Sequence, residues 1–236
     1  MATAVLRAVL RGSLLSSLLM FGVLIADGFW SAMAGDFSEQ KQLIEKAKLT
    51  IERFRADPAL KEAIQVWSAE TKALFIVPQF TRGAFIFGGA GGSGVLLVRD
   101  EQKGWSEPAF YTIGSASFGL QIGADVSEIV MIVRTKKGLE EFFSTDVKLG
   151  VEASMAVGPV GEGISAQGIA ADIISYASKK GAFAGMALDG AAVAVSDASN
   201  EAYYGKPVRP VDILVKHSVS NPTSAPLQEA AGKLIK

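Results

Sequence analysis

The 236-residue sequence predicts an α+β protein: a strongly bent antiparallel sheet or barrel-like β core, covered by N-terminal helices, with short helices in the C-terminal half. Three observations carry this. Short apolar runs recur from Ala73 onward at strand spacing, with glycine-bearing turns between neighbours, which favours antiparallel hairpins over helix-joined parallel strands. Within residues 104–133, Ala116, Phe118, Leu120 and Ile122 alternate with Ser115, Ser117, Gly119 and Gln121, the period of two of a strand. Between Asp36 and Thr71 the period changes to that of an amphipathic helix.

The first segment reads as an address. Arg7 and Arg11 precede an apolar stretch from Leu14 to Ala26, and Ala32-Met33-Ala34 supplies small residues before a cleavable bond. Cleavage is expected after Ala34, releasing a periplasmic or secreted protein that sits peripherally on a membrane if it meets one. The apolar run is short for a hydrocarbon layer of about 30 Å and is interrupted by Asp27, so a signal peptide fits better than an anchor. The chain has no cysteine, which excludes disulfides and an acylated-cysteine anchor.

The helical segment follows. Leu43, Ala47, Ile51 and Phe54 form one stripe, with Ser38 as a candidate cap that lacks the acid of a full capping box. Asp57-Pro58 breaks this helix and starts a second, in which Leu60, Ile64 and Trp67 continue the stripe. The stripe can cover the sheet. Alternatively the first helix can lie on a membrane with Lys41, Lys46, Lys48, Arg53 and Arg55 toward head groups, against which its own acids argue.

Strands are expected at Ala73–Val77, Gly83–Phe87, Gly94–Arg99, Ala109–Ile113, Ser115–Ile122 and Glu128–Arg134, with a turn at Gly123-Ala124-Asp125. A short helix, Lys137 to Phe143, precedes further strands at Val147–Leu149, Val151–Val157, Ile173–Ala177, Ala182–Leu188 and Ala191–Ser196. Asp197 to Tyr204 reads as a helix stopped by Gly205 and Pro207. The tail after Asn221 is expected to be mobile. The resulting organisation is a signal peptide (1–34), N-terminal helices (35–71), a β-rich domain (72–205) and a C-terminal extension (206–236), one globular domain overall.

Catalytic chemistry lacks parts. His217 is the only histidine and sits in the tail beside Lys216 and Ser218; no GxSxG elbow accompanies it. Without cysteine and with one histidine, no transition-metal site is expected, and no cofactor is. The run Gly88 to Gly94 lacks the Lys-Ser/Thr pair of a phosphate loop, since Val95 and Leu96 follow it. Gly161-Glu162-Gly163-Ile164-Ser165-Ala166 scans as GxGxxA, but Asp189 is a poor ribose ligand inside a glycine-rich turn. Both glycine clusters read as hairpin connections. Glu152 and Glu162 are the nearest thing to a carboxylate pair, with Glu152 expected on the outer face of its strand. A formal net charge of −1 argues against bulk nucleic-acid binding.

Cations at strand ends remain. Arg82 precedes a strand, Arg99 ends one, Arg134, Lys136 and Lys137 end another, and Lys179 and Lys180 precede Gly181. If they converge they can hold lipid phosphates by charge-assisted hydrogen bonds. Otherwise they are solvated strand ends that discourage edge pairing. Trp105, Tyr203 and Tyr204 can serve a lipid interface, although the two tyrosines fit better as the closure of a helix onto the core.

From about Lys72 to Gly205 the chain resembles the SYLF lipid-binding domain. The phrases that carry the resemblance are FIVPQFTRGAFIFGGAGGSGVLLVR, GWSEPAFYTIGSASFGLQIGADVSEIVMIV, VKLGVEASMAVGPVGEG, DIISYASKKGAFAGMALDGAAVAV and NEAYYG. The resemblance implies a non-enzymatic α+β domain. Eukaryotic relatives bind phosphoinositide membranes and some bind actin, often beside SH3 or FYVE modules; exported bacterial relatives consist of the domain almost alone. One departure is that Gly88 to Gly94 carries no charge, where relatives place a basic residue or two. The expectation is an exported protein that binds anionic lipids or a membrane surface through the basic strand ends and the amphipathic helix, with actin an unlikely partner outside the cytoplasm. The alternative is an envelope structural or protein-interaction module without a lipid ligand.

Overall fold

Why Pro78 lies in the middle of a central strand is the first question the sheet answers. The structure, a computed structural model, describes residues 38–84, 87–118, 123–158, 170–179, 182–184, 188 and 190–236. In it β1 (Ala73–Ala84) is one long strand rather than two short ones. Its register slips between Val77 and Phe80 against one neighbour and between Ile76 and Thr81 against the other. A proline has no N–H to offer a ladder, so the bulge is where a central strand tolerates it.

β2 (Phe87–Asp100), β3 (Gly104–Trp105), β4 (Ala109–Phe118), β5 (Gly123–Val133), β6 (Asp146–Lys148), β7 (Met155–Val157), β8 (Ile173–Lys179), β9 (Ala182–Ala184) and β10 (Ala192–Val195) complete the sheet. It is strongly curled, in the order β6-β10-β4-β2-β1-β5-β8-β7, with β3 on β2 and β9 on β8. All pairs are antiparallel except β7 with β8, a parallel pair that the hairpin expectation did not include.

Two other expectations are corrected. Gly88 to Gly94 is not a connection: it lies inside β2, paired on both sides with β1 and β4. Some of its glycines answer to crowding. A Cβ at Gly94 would sit 2.8 Å from the Ile76 carbonyl oxygen and 2.8 Å from the Phe75 ring. Likewise Gly123-Ala124-Asp125 opens β5, opposite Ala84, Gly83 and Arg82, instead of turning. The alternation of residues 116–122 falls on side chains outside those described.

Alternation along β1 splits the core. Ala73, Phe75 and Val77 join Leu96, Tyr111, Ile113, Ile129, Met131 and Val133 on one face, closed by Phe142, Val147, Ile213 and Leu214. Leu74, Ile76, Val95, Leu97, Val130, Ile132, Ile174 and Tyr176 are buried on the other. That second face meets a helix ending at residue 56 (α1) and α2 (Pro58–Gln65). The Asp57 carboxylate caps α2 by accepting from Leu60 N at 3.0 Å, with Pro58 at the first helical position.

α1 docks through its apolar stripe. Ile44, Ala47, Ile51 and Phe54 are buried, and Thr50 and Arg53 both donate to the Glu128 carboxylate on β5. The membrane-lying reading of α1 is therefore corrected: the stripe that would enter a bilayer is already spent on protein.

After α3 (Lys136–Glu141), the chain closes with α4 (Asp197–Tyr204), α5 (Pro210–Leu214) and α6 (Ala225–Leu234). α4 ends as expected at Gly205, in left-handed conformation with φ +70°. Past the end of β10, the buried Asn200 side chain takes over as β4's neighbour: it accepts from Phe110 N and donates to Phe110 O. The tail after Asn221 is not loose, because Leu227, Ala231, Leu234 and Ile235 are buried and Gln228 Nε2 donates to the Trp105 and Ser106 carbonyls. Gln40–Lys236 form one compact unit.

Candidate functional site

Four of the seven cations singled out from sequence, Arg99, Arg134, Lys136 and Lys137, gather at one end of the sheet. Ala73 pairs with both Val98 and Val133, and Lys72 continues these ladders: its N–H donates to Val133 O and its carbonyl accepts from Arg99 N. Arg99, Lys72 and Arg134 thus form a row across three adjacent strands, on the face that carries α2.

Two of the three point into the protein. Arg99 Nη1 donates to the Ser68 carbonyl at 2.7 Å. Arg134 donates through Nε and Nη2 to Glu70 and through Nη1 to Ala171 O, and its guanidinium lies 4.1 Å above the Trp67 ring. α2 has no basic residue in its own last turn. The sheet supplies the cations that the negative end of the helix and the following turn favour. Below them Trp67 Nε1 donates to Tyr176 OH, which donates to Ala63 O, fixing the same turn to β8. Arg99 and Arg134 are docking residues, and their guanidinium groups are committed to protein. The pairing partner, thirty to seventy residues away, is not visible from the strand ends alone.

Lys136 and Lys137 behave differently. They stand in the first turn of α3 with side chains 86% and 66% exposed, at 3.6 Å from Glu140 and 3.9 Å from Asp172 respectively. Arg82 is half-buried on β1, directly opposite Asp125 on β5. Lys179 ends β8, with its side chain outside what is described, and Lys180 lies outside the described residues, as do Glu162 and the GxGxxA run. The structure therefore unites Arg99, Arg134, Lys136 and Lys137 at one sheet end, while Arg82 sits toward the other end of β1.

Beside Lys137 lies a polar cluster that the sequence did not announce. The buried Asp172 carboxylate accepts from Thr135 Oγ1 at 2.5 Å, Ser154 N at 3.0 Å and Ser154 Oγ at 2.6 Å, and Asp172 N donates back to Ser154 Oγ. Thr135 in turn caps α3 by accepting from Gly138 N. Burial pushes the Asp172 carboxyl upward, but the hydrogen bonds from Ser154 and Thr135, with Lys137 nearby, outweigh it and hold the group below its usual value of 3.8. A carboxylate held this low is a poor general base, and the cluster acts as a clasp joining α3, β7 and β8.

A lowered folded-state value means that Asp172 stabilises the fold above the ordinary aspartate range, and that this contribution fades as pH falls through the folded value. The Asp172→Asn variant is expected to be less stable than wild type at pH 7, with the gap closing below pH about 4. Urea midpoints across pH measure it, and a gap independent of pH would refute the assignment.

Elsewhere the aromatics pack. Tyr203 is buried with its hydroxyl against Thr223, Tyr204 OH donates to Pro108 O, and the Trp105 ring lies against Gly232. Burial pushes the Tyr203 hydroxyl up to about 12. Glu152 sits in the turn before β7 rather than on a strand face. Among the described residues no group of three or more His, Asp or Glu could hold a metal ion, and no helix is long and apolar enough to cross a membrane.

Residues 114–234 match the family model described as Ysc84, Las17-binding protein actin regulator. The chain belongs to the Ysc84 (SYLF) family. The Ysc84 match begins inside β4 and takes in the Asp172 clasp, α3 and the C-terminal helices. The chain is 32% identical over 150 residues to human SH3 domain-containing YSC84-like protein 1, covering 62% of this chain and 44% of the relative. It is 31% identical over 158 residues to an SH3 domain-containing protein of Schizosaccharomyces pombe, covering 64% and 35%. It is 32% identical over 142 residues to LAS seventeen-binding protein 3 of Saccharomyces cerevisiae, covering 57% and 30%. The chain spans less than half the length of these Ysc84 relatives. The family description names Las17 and actin regulation, so the expectation against actin rests on the export reading alone, which concerns residues outside those described.

Proposed function

We propose that this Ysc84-family domain is a non-enzymatic binding module that meets anionic lipid head groups through Lys136 and Lys137, outside the cytoplasm after cleavage near Ala34. The observation that carries it is the division of labour at the sheet end: Arg99 and Arg134 are consumed by the α2 turn, whereas Lys136 and Lys137 keep their charges in solvent on a rigid, capped turn. Membrane-adjacent lysines contribute on the order of 1 kcal/mol each, so reversing both is worth at least tenfold in affinity.

The test is co-sedimentation with phosphatidylglycerol-containing vesicles at low and high salt. Binding should weaken with salt and drop about tenfold or more in Lys136→Glu/Lys137→Glu. No binding at low ionic strength, or binding indifferent to the double substitution, sinks the proposal. N-terminal sequencing of the protein recovered from its native host should begin at Gly35; an intact Met1 there would remove the export part.

A second reading is favoured by the family description, which is that of a protein-binding family. On it the same domain would retain a stoichiometric protein partner in the absence of lipid and leave vesicles unbound.

A further inference from the structure

The end of the sheet at β6 carries a device that the binding surface does not use. Among the described residues β6 is the last strand on that side, and Thr145, Val147 and Leu149 direct their backbone groups to β10 and the residues preceding it. By the alternation of an antiparallel ladder, Asp146 and Lys148 direct theirs outward. An outward row of N–H and C=O groups is a template for another strand.

At Lys148 that row is closed from within the chain. Its N–H donates to Glu152 Oε2 at 2.6 Å, and its carbonyl accepts from Val151 N at 3.2 Å and Glu152 N at 3.0 Å. The turn that folds the chain back is made possible by Gly150, at φ +80°, and is latched by Gly150 N donating to Ala153 O at 2.8 Å. The Asp146 backbone has no such cover among the described residues.

What this closure keeps out follows from the charges. A two-fold axis through Val147 would place Asp146 of one copy opposite Lys148 of the other, twice, on the exposed side of the ladder, with both residues exposed and Val147 buried. Opposite charges at directly paired positions favour association, and the same patch serves both subunits. We infer that Glu152 and its turn guard the β6 edge against pairing with a second copy of the chain, and that the edge is self-complementary once the guard is removed.

Sedimentation velocity over a concentration series, on the full chain and its variants prepared in the same way, tests this. Glu152→Ala should raise the self-association constant about tenfold, because it frees an N–H for an intermolecular bond. Glu152→Gln, which still offers Oε1, should match wild type. Adding Asp146→Lys to Glu152→Ala should abolish the gain by setting lysine against lysine, and adding Lys148→Asp as well should restore it. Because Glu152, Asp146 and Lys148 are all exposed, these changes leave the core intact. The inference is overturned if Glu152→Ala associates no more than wild type, or if its gain survives Asp146→Lys.

Discussion

Replacing Arg134 with alanine will destabilise the fold by roughly 1–3 kcal/mol, the cost of leaving a buried carbonyl without its hydrogen bond and uncovering an indole; the carboxylate it also meets, Glu70, is 54% exposed and returns to water. Its side chain is only 7% exposed, and one guanidinium serves Glu70, the Ala171 carbonyl and the Trp67 ring. Removing it leaves a buried carbonyl unmet and takes the cover off Trp67, whose indole anchors Tyr176. Arg134→Lys should recover only part of the loss, because an ammonium cannot reach a carboxylate, a carbonyl and an aromatic face with a planar fork. The readout is the urea unfolding midpoint. A shift worth less than about 0.5 kcal/mol would show that the contacts seen at the sheet end carry little of the stability.

The second large effect is expected at Gly94. A methyl group there would meet the Ile76 carbonyl oxygen and the Cε2 and Cζ atoms of Phe75, all within 2.9 Å. Neither neighbour can yield cheaply. The carbonyl belongs to a paired central strand, and the Phe75 ring is wedged against Tyr111 and Phe142 at centroid distances of 6.0 Å and 5.6 Å. Gly94→Ala should therefore cost about 1–3 kcal/mol by overpacking. Gly83→Ala is the internal comparison. It lies on the adjacent strand with nothing within 4 Å of its Cβ position, and the change should be neutral or slightly stabilising through the unfolded chain. Equal losses at the two glycines would mean that intrinsic strand propensity, not crowding, sets the requirement.

These two sites also show where sequence reasoning stops. The apolar runs are legible because burial is written in period: Ala73 to Val77 and Ile129 to Val133 are buried on both faces, as an unbroken apolar run requires. The α1 stripe, the Asp57-Pro58 break and the Gly205 stop are legible for the same local reason. The glycine run is not. Seven residues with a single side chain larger than a methyl group look like a loop by propensity, and only the ring of Phe75 and the bulge beside Pro78 explain a strand there.

The candidate site divides in the same way. That a cation stands at the end of β2 and of β5 can be read from residue order. Whether it faces solvent or the turn after α2 depends on Ser68, Glu70 and Trp67, which that turn delivers onto the same face of the sheet. Lys136 and Lys137 differ from Arg134 by two or three positions in the chain, yet a helix start at Thr135 turns them outward. The Asp172 clasp is further from view still, since aspartate, serine and threonine are common at turns and nothing in their spacing announces that they meet.

Amino-acid order alone thus settles the apolar strands, the stripe of α1 and the stops at Asp57-Pro58 and Gly205, and that the protein must bury two faces of a sheet, because these follow from short-range periodicity. The fate of individual charges and glycines belongs to the folded chain, because a desolvated cation or a missing side chain has meaning only beside the atoms that long-range packing brings within a few ångströms.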